Sequence, residues 1–204
     1  ANSGLKVPEE HIWTSANATA AFLSQQSPNS TAYVIGEAGL TTALHTAGYV
    51  MTDQDPEYVV LGETRFYDFY ALTTAIRLIE RGAKFIATNP DVSGPSDEGT
   101  LPAAGSIAAM IQAATGKAPY FVGKPNPVMI RAGLNKIGAH SEQAAMVGDR
   151  MDTDVRAGVE AGMRTFLVLS GSTHSEDVAN FPYRPFRIYN GIGDLIRYVQ
   201  PASN

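Results

Sequence analysis

Three carboxylates crowd the stretch Met146-Val147-Gly148-Asp149-Arg150-Met151-Asp152-Thr153-Asp154, with only Arg150 opposing them. The apolar run Ala144-Ala145-Met146-Val147 leads into it, so a strand that ends in Gly-Asp and feeds a helix would deliver Asp149, Asp152 and Asp154 to one sheet edge. Open α/β folds hold their ligands at the carboxyl ends of parallel strands. Hard cations such as magnesium take one or two carboxylates, completing their shell with water and phosphate oxygens. A plain helix N-terminus also favours aspartate, as a cap and through the macrodipole. That alternative accounts for one of the three acids more easily than for all of them. Lys124 follows a second apolar run, Tyr120-Phe121-Val122-Gly123. If that run lies in the same parallel sheet, the ammonium reaches the edge that carries Asp149, and a dianion could sit between the lysine and a carboxylate-bound cation. Read alone, Lys124 is an exposed turn lysine.

The elements needed to position these groups are legible along the chain. Thr14 or Ser15 caps a helix with apolar positions at Ala18, Ala21 and Phe22, ending near Ser27-Pro28. Short apolar strands at residues 32–35 and 58–61 each close on Gly-Glu, with a helix between them that stops at Gly48. Phe69, Leu72, Ile76 and Ile79 define a helix over residues 68–81 with Gly82 as its stop, and a strand at 84–88 breaks at Asn89-Pro90-Asp91. Residues 92–102 read as a loop, and Ile107, Met110, Ile111 and Ala114 as a helix ended by Gly116. Asn126 caps a helix with Pro127 in its first turn and Gly138 at its end. Val155 and Val159 continue a helix after the acidic loop, followed by strands at 164–169 and 186–189 and a short helix over 192–198. Near the start, Gly4 would end a preceding helix. Alternating strands and amphipathic helices signal an α/β protein.

Composition narrows the function classes. The 204 residues are 44% hydrophobic and 17% charged, an ordinary globular balance. A net charge of −5 argues against nucleic acid or an anionic membrane surface as partner. Zero cysteine excludes disulfides, thiolate metal sites and a cysteine nucleophile, and fits a reducing, cytoplasmic setting. No apolar run approaches the ~20 residues of a membrane helix, and the first residues lack a signal-peptide layout. His11, His45, His140 and His174 have no metal-pair spacing. Ser170 and Ser172 lack a Gly-x-Ser-x-Gly elbow, no Gly-x-Gly-x-x-Gly opens a helix, and the 149–160 stretch lacks the glycine of an EF-hand loop. Arg65 and Arg131 read as solvated surface cations.

Gly123-Lys124-Pro125, followed some twenty-five residues on by Val147-Gly148-Asp149-Arg150-Met151-Asp152-Thr153-Asp154, resembles the third and fourth motifs of the haloacid dehalogenase-like (HAD) phosphatases. Val60-Leu61-Gly62-Glu63-Thr64-Arg65, Phe85-Ile86-Ala87-Thr88-Asn89-Pro90-Asp91 and Val168-Leu169-Ser170-Gly171 are similar to the NagD-type sugar-phosphate and 4-nitrophenyl-phosphate phosphatases. The resemblance implies a Rossmannoid three-layer core with an inserted α/β cap, the core being residues 1–30 with 119–204 and the cap residues 31–118. It implies magnesium as cofactor and hydrolysis of a small-molecule phosphate ester through an aspartyl-phosphate. By the same resemblance Asp149 is the metal-binding aspartate and Asp154 the second acid, acting through water. Lys124 neutralises nucleophile and phosphate, and Asn89, Pro90 and Asp91 face the substrate. Asp152 carries no assigned role, and the cap is a candidate homodimer surface.

One family motif has no counterpart. The nucleophile belongs to an Asp-x-Asp after an apolar strand, and this sequence holds none in that context. Asp53-Gln54-Asp55 precedes Pro56 and reads as a turn, and Asp152-Thr153-Asp154 belongs to the acidic loop. The expectation is therefore a chain that begins after the nucleophile motif, with apolar core faces left uncovered and a tendency to associate. A non-catalytic phospholigand- or metal-binding module is the alternative.

Overall fold

In the computed structural model, residues 6–196 are described and divide into two compact units, residues 6–123 and 124–196. The first is built on a five-stranded, all-parallel sheet of order β2-β1-β3-β4-β7. Its strands are β1 (Thr31–Ile35), β2 (Val50–Met51), β3 (Tyr58–Leu61), β4 (Lys84–Ala87) and β7 (Tyr120–Phe121). Residues alternate across a strand, and the two faces separate accordingly. Ile35, Val59, Leu61, Phe85 and Ala87 pack with Ala75, Leu78 and Ile79 of α3 (Phe69–Glu80) and Ala108 and Ile111 of α4 (Ala104–Thr115). The intervening residues Tyr58, Val60 and Ile86 are equally buried, so both sheet faces are covered, as a parallel sheet requires. α1 (Ser15–Gln26) packs against α2 (Ala38–Thr46) in this unit.

Local chemistry fixes these ends. Thr14 and Asn17 form a reciprocal capping box on α1. Asp68 accepts from Ala71 N–H at the start of α3, and Gly116, at φ 70°, supplies the left-handed stop of α4. Tyr49, 1% exposed, donates its hydroxyl to Leu23 O at 2.9 Å and Ser27 O at 2.6 Å, tying the end of α1 to the segment before β2. Phe22 stacks on Tyr120 with ring centroids 5.1 Å apart.

Those ties move two expected boundaries. Residues 15–26 were expected with residues 119–204, yet α1 lies in the first unit, because the Tyr49 hydroxyl and the Phe22 ring anchor it there. The condition that the 120–122 run share a sheet with the strand at 145–148 is not met: β7 extends the first sheet, with Tyr120 opposite Ile86 and Phe121 opposite Ala87. The loop expected at 92–102 is an antiparallel hairpin of β5 (Ser93–Ser96) and β6 (Gly99–Pro102), turned by Asp97-Glu98 with Ser96 Oγ on Gly99 O. Asp53-Gln54-Asp55 is a bend, as read. Gly4, and any helix beyond Ile196, lie outside the described residues.

The second unit carries a parallel sheet of order β10-β9-β8. Its strands are β8 (Ala145–Gly148), β9 (Arg164–Val168) and β10 (Arg187–Tyr189). α5 (Pro127–Ile137) starts at Asn126, whose side chain accepts from Val128 N–H, and ends on Gly138 at φ 65°. It packs on α6 (Arg156–Glu160). Gly158 lets α6 approach the strands, since a Cβ there would lie 2.4 Å from Thr165 Cγ2 and 2.9 Å from Met146 Cβ. One apolar cluster gathers Met151, Val155, Leu167 and Val178 with Leu169, Phe181 and Tyr183 packed against it. Another side is open: Val147, Phe186, Ile188, Ile192 and Ile196 are exposed, and a cavity of about 640 Å³ is lined by Val147, Phe166, Tyr189 and Leu195 among others. Among the described residues no helix is long and apolar enough to cross a membrane.

Candidate active site

β8 delivers Gly148-Asp149 to the carboxyl edge of the second sheet, and the chain then enters a π-helical turn, Met151–Val155, before α6. β9 ends beside it and is followed by Ser170-Gly171-Ser172-Thr173. This adjacent loop holds Asp149. Ser172 N–H donates to Asp149 Oδ2 at 2.7 Å, and Thr173 N–H donates to Asp149 O at 3.1 Å. Burial works against ionisation of Asp149, but hydrogen bonds from the Ser172 backbone and hydroxyl outweigh it and hold the carboxyl below the usual range.

Asp154 is 5% exposed and held from two sides. Lys124 Nζ donates to Oδ1 at 2.5 Å, and Arg150 N–H donates to Oδ2 at 3.2 Å. Glycine makes both placements possible. A Cβ at Gly148 would fall 2.3 Å from Asp154 Cβ and Cγ, and one at Gly171 would fall 2.1 Å from Asp149 Oδ2. The two carboxylates thus sit in cradles that any larger residue would fill.

The structure brings Lys124, Asp149 and Asp154 into this unit, and it pairs the lysine with Asp154. The third acid is otherwise engaged: Arg150 grips Asp152 through Nε at 3.0 Å and Nη2 at 2.7 Å. That pairing, against some burial, keeps the Asp152 carboxyl below its ordinary range. Asn89, Pro90 and Asp91 lie at the carboxyl end of β4 in the first unit. There Thr88 Oγ1 donates to Asn89 Oδ1 and Asn89 Nδ2 to Asp91 Oδ2, while Gly105 N–H donates to Asp91 O. A Cβ at Gly105 would collide with Pro90 O at 2.2 Å, so the start of α4 and this loop are fitted to each other. No group of three or more histidine, cysteine, aspartate or glutamate side chains suited to a metal occurs among the described residues.

Two further residues, Thr173 and Tyr183, hold the turn and carry no motif in the sequence. Thr173 Oγ1 accepts from Met151 N–H at 3.2 Å, and Tyr183 donates its hydroxyl to Met151 O at 3.0 Å. The available signal was positional: Thr173 closes a polar loop after the strand next to the one ending in Gly-Asp. Nothing local marks Tyr183.

Comparison with known proteins places this arrangement. The family described as HAD-hydrolase-like matches residues 121–195, and that described as haloacid dehalogenase-like hydrolase matches residues 1–50. The chain is 62% identical over 193 residues to a dihydroxyacetone phosphatase of Corynebacterium glutamicum, covering 95% of this chain and 70% of that protein. It is 44% identical over 195 residues to the ribonucleotide monophosphatase NagD of Escherichia coli, covering 96% and 76%. A solved 4-nitrophenylphosphatase from Thermotoga maritima superposes with a TM-score of 0.93 at 36% identity, covering 98% of this chain and 77% of that one.

Proposed function

Because the chain belongs to the haloacid dehalogenase-like hydrolases and is one of their NagD-type phosphatases, we propose that it hydrolyses small phosphate monoesters with magnesium at Asp149 and Asp154. The observation that carries this reading is the Lys124–Asp154 ion pair in the same unit as Asp149, whose carboxylate accepts from Ser172 N–H. The similarity to a dihydroxyacetone phosphatase puts a triose phosphate first among the substrates, with sugar phosphates and 4-nitrophenyl phosphate after it. Within this reading the second unit belongs to the catalytic core, and the first, with Asn89, Pro90 and Asp91, is the cap that selects the leaving group. A cytoplasmic setting fits the cysteine-free sequence.

The donor set fits magnesium, which binds through one or two carboxylates plus water and phosphate oxygens. Asp149, anchored through Oδ2, would be the direct ligand. Asp154 has one oxygen on Lys124 and the other on Arg150 N–H, which suits a carboxylate that reaches the ion through water. When bound, the ion supplies positive charge opposite the phosphoryl oxygens. Lys124 supplies a second positive charge, 38% exposed and so open to an incoming dianion. Asp154 holds that ammonium in place, and the Ser172 N–H keeps Asp149 ionised and oriented. The attacking aspartate of the resemblance is not among these residues, so the sequence contributes charge stabilisation and positioning.

Hydrolysis of dihydroxyacetone phosphate and 4-nitrophenyl phosphate with magnesium tests the proposal, for this chain and for one extended at its N-terminus. Turnover in the extended form that Asp149→Asn lowers by ~10³-fold or more supports it. Near-normal turnover in that variant removes Asp149 from the site. Inactivity of both forms with retained magnesium binding favours the non-catalytic module.

A further inference from the structure

Only four residues separate Asp149 from Asp154, and the second of them is Met151. Every part of Met151 is gripped. Its side chain is 1% exposed, packed with Val155, Leu167 and Val178 and against Phe181 and Tyr183. Its N–H, the first of the π-helical turn, would be left without an intrahelical partner. The turn's own cap residue, Arg150, makes no side-chain capping bond; Thr173 Oγ1 takes the N–H instead, from a residue 8% exposed. Its carbonyl accepts from Tyr183 Oη as well as from Arg156 N–H within the turn. Thr173 also donates its own N–H to Asp149 O, so one residue bonds to both sides of Arg150.

From this geometry we propose that Thr173 and Tyr183 are positioning residues: by clamping the two peptide groups that flank the Met151 Cα, one through its N–H and the other through its carbonyl, they fix the spacing of Asp149 and Asp154, and with it the affinity for a divalent cation. The inference rests on the reading of those two acids as the cation site. Neither clamp residue touches the reacting atoms; both act through the turn. Side chains that orient metal-binding groups typically change affinity by ~10–100-fold when removed. The two grips differ in kind. Thr173 replaces a missing helix cap and ties the turn to the loop that holds Asp149, whereas Tyr183 restrains the turn from the side of the apolar cluster. Loss of either leaves the other in place, so each single variant should fold.

The test uses the whole 204-residue chain with Mn²⁺ as a paramagnetic probe and Mg²⁺ as competitor, monitoring the backbone amides of residues 148–154. The variants are Thr173→Val, Thr173→Ser, Tyr183→Phe and Asp149→Asn. Thr173→Val keeps the shape and removes the acceptor, so cation affinity should fall ~10-fold or more and the Met151 amide should exchange faster. Thr173→Ser restores both, a rescue that a purely packing role would not give. Tyr183→Phe should weaken affinity with the Met151 N–H bond intact. Wild-type affinity in Thr173→Val and Tyr183→Phe, with binding lost in Asp149→Asn, overturns the clamp alone. Binding that survives Asp149→Asn overturns the cation-site reading on which it rests.

Discussion

Replacing Gly148 with alanine asks whether Asp154 is held against β8 as the fold has it. The new Cβ would lie 2.3 Å from Asp154 Cβ and Cγ and 2.5 Å from Oδ2. Ordinary contact begins at 3.4 Å, so the carboxylate must retreat by about 1 Å. Gly148 is not among the glycines with positive φ, which leaves sterics rather than backbone strain as the cause. A retreat of that size stretches the 2.5 Å bond from Lys124 and the 3.2 Å bond from Arg150 N–H out of range. Overpacking costs ~1–3 kcal/mol, and losing a hydrogen bond to a charged group costs ~1.5–3 kcal/mol. Because Lys124 is 38% exposed, water partly replaces its partner and the total settles at ~2–3 kcal/mol. The assay is urea titration followed by hydrogen exchange at the β8 and β9 amides, which isolates the second unit. Gly39→Ala is the control: it lies in α2 with nothing within 4 Å of a Cβ, and alanine there should stabilise the first unit by ~0.5–1 kcal/mol. If Gly148→Ala unfolds within ~0.5 kcal/mol of the wild type, Asp154 is not packed against β8 and the cradle argument fails.

Two further outcomes follow from the first unit. Glu57 is held at about 2 by the Lys84 ammonium and then by the Ser30 and Ser27 hydroxyls. Its folded value lies below the unfolded value of ~4.3, so its stabilisation is fully present above pH ~4.5 and fades as pH falls toward 2. Glu57→Gln should therefore lower the melting temperature at pH 7 and converge with the wild type only below pH ~2. With the Glu57 side chain 34% exposed, the gap at pH 7 should stay below ~1 kcal/mol, and parallel acid limbs would refute the assignment. Tyr49→Phe removes the hydroxyl that joins Leu23 O and Ser27 O; a loss of ~1–2 kcal/mol with faster exchange at the end of α1 is expected, and unchanged exchange there would count against the tie.

What could be read in advance was what local chemistry decides. Asn126, Pro127 and Gly138 bound α5 because capping and left-handed stops act within a few residues. The acidic loop stood out because three acids at a strand end exceed what a helix start uses. Partner choice was not legible. Tyr120-Phe121 is an apolar run with no internal sign of which sheet it joins; Ile86, Ala87 and the Phe22 ring decide it. Lys124 bonds Asp154, and whether Asp149 or Asp154 receives its ammonium depends on the path of the turn, which sequence spacing does not show. The 93–102 hairpin lacks apolar alternation, so its Ser, Gly and Pro content read as a loop. Thr173 and Tyr183 bond to a backbone group, and a target common to every residue leaves no pattern in side-chain spacing.

Among the described residues β8 pairs on one side only, with β9. A strand edge of this kind presents a row of unused donors and acceptors to any extended chain of suitable length. A strand laid along it would finish beside Gly148-Asp149, stiffening the segment from which Asp149 departs. With Asp149 as the proposed cation ligand, strand addition and cation binding would then be thermodynamically linked: whatever factor the added strand lends to the cation, the cation returns to the strand.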